Sequence, residues 1–102
     1  MSKIDAQYQQ VVNGLADEFL RRSSEELAEQ PDYGSMARRM DGNDVLVAYW
    51  HYRLKDNVNH IVFIIERRLL IPFTYRKFIS GVVFGPTVNP RLLTAEEIGD
   101  YD

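Results

Sequence analysis

The sequence predicts an α+β fold of two layers, with an N-terminal amphipathic helix packed on an antiparallel sheet of three to four strands and a short C-terminal helical turn. Three observations support this: a helical apolar stripe near the start, strand-like runs around a short turn, and a capping sequence near the end. The chain has 102 residues, of which 45% are hydrophobic, the size of one globular domain. We expect a single domain over 1–102, with 1–30 helical, 36–88 an antiparallel sheet, and 89–102 an acidic tail with a short helix.

The first thirty residues have the pattern of a helical region. Apolar side chains within 4–19 recur at intervals of three or four, which places them along one stripe of a helix. Ser2 precedes the stripe and Asp5 falls in its first turn, which is typical of a capped helix N-terminus. Ser23 and Glu26 have the spacing of a second capping box, so the helix either continues or begins again there.

The central region has the pattern of antiparallel strands. The segment "SMARRM" suits a short helix or a short strand, and we favour a strand. The run "VLVAYWHYRL" alternates, and Asp56 and Asn57 follow it as residues that tolerate the left-handed conformation of tight turns. The segment "FTYRKFI" predicts a further strand, whereas "TVNPRL" is typical of a loop. Thr94 and Glu97 then form a capping box for the last helical turn.

A two-residue turn at Asp56 and Asn57 predicts the register of the central hairpin. Trp50 would then lie opposite Phe63, and Tyr52 opposite Ile61. The even-numbered side chains of the first strand of this hairpin, "VLVAYWHYRL", would form the layer beneath the helix. This predicted core consists of Trp50, Tyr52, Ile61, Phe63 and Ile65.

The second face of the predicted sheet is too apolar to be left in water, and no second long helix is available to cover it. One hypothesis is that a partner chain buries this face, and a second copy of the same protein would be the simplest partner. The alternative is that 86–93 and the final turns fold back over it as a lid. The residues predicted to form a binding surface are Tyr49, His51, Arg53, His60, Ile64, Arg67, Arg68, Tyr75, Arg76 and Lys77.

Charge is distributed unevenly although the net charge is only −3. Residues 1–35 carry a net −4, 36–91 a net +5 and 92–102 a net −4. One interpretation is that the acidic ends fold over a basic sheet and neutralise it. The other is an exposed basic surface with interleaved aromatics, which would bind single-stranded nucleic acid. The acidic pI of about 5.3 favours the first interpretation.

The sequence indicates a non-enzymatic protein. His51 and His60 fall on one face in the predicted register, but a metal site needs further ligands, and no glycine-rich loop precedes a helix. We expect no catalytic, cofactor-binding or metal-binding residues, and a protein-binding module (an adaptor, inhibitor or assembly factor), homodimeric through the second face. The absence of cysteine, the polar start and the short apolar run "IVFII" predict a cytoplasmic protein without a membrane span.

Overall fold

The computed structural model describes residues 2–69, 71, 72 and 74–102. Phe73, which the sequence places in the strand "FTYRKFI", lies outside the described residues. The described elements, in chain order, are α1 (Lys3–Leu20), α2 (Ser24–Ala28), β1 (Tyr33–Met40), β2 (Asn43–Arg53), β3 (Asn59–Arg68), β4 (Tyr75–Gly85), β5 (Val88–Leu92) and α3 (Ala95–Gly99).

The strands form an antiparallel meander in the order β1-β2-β3-β4-β5, and α1 packs on one face of it. The predicted α+β fold, its N-terminal helix and its short C-terminal helix are confirmed. Within the described residues the sheet has five strands, so the prediction of three to four was wrong. The additional strand is β5, which pairs with β4. Pro90 made this segment resemble a loop, but proline is tolerated on the edge strand of a sheet.

Helix α1 begins and packs as its sequence pattern predicts. The Ser2 hydroxyl accepts a hydrogen bond from the Asp5 backbone N–H at 3.2 Å, which satisfies one unpaired donor of the first turn. We call the sheet face toward α1 the inner face and the opposite one the outer face. The apolar side chains buried between α1 and the inner face are Val12, Leu15, Ala16, Phe19, Val47, Tyr49, Ile61, Phe63, Ile65, Phe78, Val82 and Phe84.

The turn between β2 and β3 contains three residues, Lys55–Asn57, and not the two predicted. Asp56 and Asn57 do adopt left-handed conformations, with φ of 61° and 59°. The Leu54 N–H donates to the Val58 carbonyl at 2.7 Å, which closes the loop one residue earlier than expected. The pairing of β2 with β3 is therefore shifted by one residue.

This shift exchanges the two faces of β2, because successive side chains of a strand point to opposite sides. Trp50 lies opposite Val62, and Tyr52 lies opposite His60, all on the outer face. The prediction that Trp50 and Tyr52 belong to the core beneath the helix was wrong, whereas Ile61, Phe63 and Ile65 do face α1. Tyr49 instead fills the inner face, where its ring packs over Gly34, the residue opposite it on β1.

Gly14 offers a test of how α1 is stabilised. A Cβ atom at Gly14 would meet no heavy atom within 4 Å, so the glycine has no packing role within the described structure. Gly14→Ala should raise the free energy of unfolding by about 1 kcal/mol because alanine loses less backbone entropy in a helix. In thermal and chemical denaturation this corresponds to a rise in Tm on the order of 4–8 °C for a domain of this size.

Gly81→Ala is the matched control. A Cβ atom there would collide with the Ile61 carbonyl oxygen and lie 2.8 Å from the Leu93 Cδ1 atom, so this variant should be destabilised. Equal losses in both variants would show that Gly14 is needed for the conformation of α1.

Candidate functional site

The outer face of the sheet is divided into two halves by the C-terminal helix. α3 and the segment before it pack on one half through Leu93, Ile98 and Tyr101. We call the side chains beneath them the covered half: Tyr52, His60, Val62, Ile79 and Val83. We call the remaining side chains of the outer face the open half: Tyr33, Ser35, Ala37, Arg39, Asp44, Leu46, Ala48, Trp50, Ile64, Glu66, Arg68, Tyr75 and Lys77.

Polar contacts fix α3 over the covered half. His60 Nδ1 lies 2.7 Å from the Tyr101 hydroxyl, and the Tyr101 ring stacks on Tyr52 with centroids 4.9 Å apart. Arg91 donates to both carboxylate oxygens of Glu97 at 2.8 and 3.2 Å. The Glu97 side chain also completes the predicted capping box with Thr94. A helix of five residues is unstable alone, so these anchors determine where it lies.

The environment of α3 shifts the pKa values of His60, Glu97 and Tyr101 as well as that of Arg91. Burial lowers the pKa of His60 below its ordinary 6.5, although the nearby Glu97 carboxylate acts in the opposite direction. The hydrogen bonds from Arg91 and from Thr94 lower the pKa of Glu97 to about 2, against the effect of burial. Burial raises the pKa of Tyr101 to about 12. The anchored state therefore contains a neutral His60, an ionised Glu97 and a protonated Tyr101 near neutral pH.

The open half exposes large apolar side chains to solvent. Tyr33 is 70% exposed, Leu46 68% and Trp50 42%. The Tyr33 and Trp50 rings lie beside each other on paired strands, with centroids 5.9 Å apart. Ala48 and Ile64, which face each other in the register, continue this surface toward β4. Such a contiguous apolar surface is typical of a site that contacts another molecule.

Charged side chains of both signs border the open half. Arg39 donates to Asp44 at 3.2 Å on the β1–β2 side. On the other side Glu66 lies opposite Lys77 in the ladder, and Arg68 lies opposite Tyr75. The surface is thus close to electrically balanced, with three basic and two acidic groups.

The structure does not bring the ten predicted surface residues together. Ile64, Arg68, Tyr75 and Lys77 lie on the open half, and His60 is buried on the covered half. The other five side chains lie on the inner side. Those on β2 do so because the one-residue shift in register turns its odd positions toward α1. Those at 67 and 76 do so because they alternate along β3 and β4 with positions of the outer face. These five are Tyr49, His51, Arg53, Arg67 and Arg76.

His51 is a structural residue on the inner side. It is 5% exposed, with Nδ1 2.9 Å from the Gln30 carbonyl oxygen and Nε2 2.9 Å from Asn59 Oδ1. It therefore connects β2 to the chain before β1 and to the start of β3. His51 and His60 point to opposite faces, so the predicted placement of both on one face was wrong. The described residues include no group of three acidic or histidine side chains suited to a metal ion.

Asp5 organises the basic residues of the inner side. Arg67 and Arg76 lie directly opposite each other on β3 and β4, and Asp5, which is 1% exposed, binds both: Arg67 at 2.6 Å and Arg76 in a shorter contact. Burial acts to raise the pKa of Asp5, but the hydrogen bonds from Arg67, Ser2 and Arg76 lower it overall. The two arginines are thus held by an intramolecular carboxylate.

Other basic residues of the sheet pair with the acidic ends in the same way. Arg38 contacts Glu18 at 3.2 Å, and Arg53 contacts Asp32. With Arg91 bound by Glu97, these pairs agree with the interpretation that the acidic ends neutralise the basic middle of the chain.

The exposed residues that sequence reasoning missed are Tyr33, Leu46 and Trp50. Alternation could not place Leu46 and Trp50 on the outer face, because both faces of β2 are apolar in sequence, and Tyr33 precedes the region predicted to form the sheet. No helix among the described residues is long and apolar enough to cross a membrane. Comparison with family models, with curated proteins and with solved structures finds no match to this chain. We therefore infer function from the geometry of the outer face.

The anchoring of α3 predicts a stability maximum between about pH 6.5 and pH 10. Below pH 6.5 the unfolded chain takes up a proton at His60 before the folded chain does, so stability falls as the pH decreases. Above pH 10 the unfolded chain loses the Tyr101 proton before the folded chain, whose pKa is about 12, so stability falls again. Unfolding free energies measured by urea titration from pH 5 to pH 11 test this, with Tyr101→Phe as the comparison. An alkaline loss of equal size in both proteins would contradict the role given to Tyr101.

Asp5→Asn should destabilise the protein at pH 7, because the arginine pair facing α1 loses its counter-charge. The pKa of Asp5 is lowered in the folded state, so its contribution is present above pH 3.8 and is lost as the pH falls below that value. The difference in unfolding free energy between wild type and Asp5→Asn should therefore shrink in acid. Asp17→Asn, on the exposed side of α1, is the control and should change stability little at either pH. A constant difference across the pH range would be evidence against the ionic contribution.

Proposed function

We propose that this protein is a small non-enzymatic protein-binding module, an adaptor, inhibitor or assembly factor, that binds its partner through the open half of the outer face. The observation that carries the proposal is the exposure of Tyr33, Leu46 and Trp50 on adjoining strands. Large apolar side chains that are exposed in this way are unfavourable in water, and their burial at an interface is favourable.

The composition of the surface supports a protein partner. Tyrosine, tryptophan and arginine are enriched at interfaces, where they combine large contact area with a polar group at the rim. The open half contains Tyr33, Trp50 and Tyr75 with Arg39 and Arg68 beside them. Nearly balanced charge at its border allows a close approach by a protein surface without long-range repulsion.

Binding of single-stranded nucleic acid is the alternative, and the Tyr33–Trp50 pair could stack on bases. It is less well supported, because affinity for phosphates depends on available basic groups. Arg53, Arg67 and Arg76, which the sequence interpretation assigned to this surface, point to the inner side and contact Asp32 and Asp5.

Leu46→Glu and Trp50→Ala test the proposed function by affinity purification of the tagged chain from its native host, with and without nuclease. We expect the wild-type chain to retain a stoichiometric, nuclease-resistant protein, and each variant to weaken its capture by at least about tenfold, because a central aromatic or aliphatic contact is removed.

Leu92→Glu is the matched control. Leu92 is 43% exposed, as Trp50 is 42% exposed, but it pairs with Val82 on the inner side. If Leu92→Glu loses the partner while Leu46→Glu and Trp50→Ala retain it, the binding site lies outside the open half. Retention that depends on nucleic acid, seen as nuclease-sensitive absorbance at 260 nm, would favour the alternative.

A further inference from the structure

The area of the outer face limits what can bind there stably. Strands spaced ~4.8 Å apart and ~3.3 Å per residue give the five-stranded sheet an outer face on the order of 800 Å². A stable protein interface of standard size buries about 800 Å² on each partner. The open half alone offers roughly half of this area, so an interface of standard size extends beyond it, and α3 is the part of the outer face that adjoins it.

The shape of the outer face selects among partners that contact both halves. α3 lies on the covered half as a raised step, and a helix has a diameter of about 10 Å with its side chains. A flat surface laid against α3 would not reach the open half. A second copy of this chain, rotated by a twofold axis that crosses the strands, presents its own step to the open half and its own open half to the step.

Charge selects the same orientation. The exposed acidic residues of the step and of the three residues that follow it are Glu96, Asp100 and Asp102. The basic residues Arg68 and Lys77 lie at the far end of the open half; Lys77 and Val83 are six residues apart on β4, roughly 20 Å. An axis that crosses the strands places the acidic step of each copy on the end of the other that carries Arg68 and Lys77, where the two basic groups outnumber the one acidic group, Glu66. An axis parallel to the strands would keep each step at the end of the sheet that carries Tyr52 and His60, far from Arg68 and Lys77.

The border between the two halves lies at Trp50, which pairs with Tyr33 on one side and with Val62 of the covered half on the other. In the crossed orientation this border is next to the twofold axis, so the two copies of Trp50 approach the centre of the interface. A large aromatic side chain at the centre of an interface contributes most when its surroundings exclude water.

We propose that the partner of the outer face is a second copy of this chain, in an interlocked dimer in which α3 of each copy lies on the open half of the other. This inference rests on the proposed function and names its partner. The two contacts between step and open half are equivalent by symmetry, and Glu96 and Asp100 of one copy face Arg68 and Lys77 of the other.

A charge-exchange experiment tests the orientation. The first variant, Arg68→Glu with Lys77→Glu, makes the open half acidic, and the second, Glu96→Lys with Asp100→Lys, makes the step basic. Each variant alone should dimerise at least about tenfold more weakly than the wild type, because like charges then oppose at both contacts. An equimolar mixture should recover the wild-type affinity within several-fold, because both contacts of the mixed dimer pair opposite charges.

Sedimentation velocity measures the dimer, and the emission of Trp50 reports on the interface directly, since it is the only tryptophan in the chain. Its emission should shift to shorter wavelength with rising protein concentration, in the wild type and in the mixture. A mixture that associates no more tightly than its separate variants would overturn the interlocked dimer. Circular dichroism establishes that both variants are folded.

Cysteine cross-linking tests the same contact without charge reversal, because the chain has no cysteine of its own. When Lys77→Cys and Glu96→Cys are mixed, a disulfide between the two variants should form faster than a disulfide between two copies of either variant. Preferential linkage of Lys77→Cys to itself would overturn the proposed orientation.

The two proposals fail in distinguishable ways. If the wild-type chain is monomeric at about 100 μM while Leu46→Glu still abolishes capture of another protein, the interlocked dimer is excluded and the proposed function stands. If the chain is monomeric and Leu46→Glu captures the same proteins as the wild type, both the interlocked dimer and the proposed function are excluded.

Discussion

The three-residue turn between β2 and β3 is the constraint on which the rest of the structure depends. Asp56 and Asn57 hold consecutive left-handed conformations, and a hydrogen bond from the Leu54 N–H to the Val58 carbonyl closes the turn Lys55–Asn57. A slip of one residue would reverse β2, because the side-chain period of a strand is two. Tyr49 and His51 would then leave the interior, and the hydrogen bonds of His51 to Gln30 and Asn59 would be lost. The same turn directs Trp50 to the outer face.

Ion pairs hold the helices against the sheet whose register the turn determines. The basic strands would repel one another at the Arg67–Arg76 pair, where like charges lie directly opposite. Asp5, at the start of α1, relieves this repulsion and fixes the helix at that end of the sheet. In the C-terminal segment, an ion pair between Arg91 and Glu97 likewise holds α3 against the sheet. Because ion pairs within the fold use much of the formal charge, the open half of the outer face is left as an aromatic and nearly balanced surface.

Local sequence patterns predicted the helices and most strands. The pairing of β2 with β3 could not be predicted in this way, because it depends on contacts between residues distant in sequence. Ser23 with Glu26 and Thr94 with Glu97 form capping boxes because each needs only its own turn of helix. The face of β2 was not predictable, since both sets of alternating positions are apolar and the polar member of the buried set, His51, is satisfied by residues distant in sequence. Four of the ten predicted surface residues lie on the open half, and the exposed Trp50 was assigned to the core for the same reason.

α3 contributes both to the stability of the fold and to the shape of the outer face. Its five residues depend on contacts from Ile98 and Tyr101 to the sheet, and burial in this contact lowers the pKa of His60 and raises that of Tyr101. Release of α3 would uncover Val62, Ile79 and Val83 and would at the same time remove the acidic step from the outer face. An interface that uses both halves would therefore lose its shape and its charge pattern together, while a partner that needs only apolar surface would gain area. The position of this short helix thus determines how much apolar surface and how much acidic charge the outer face presents.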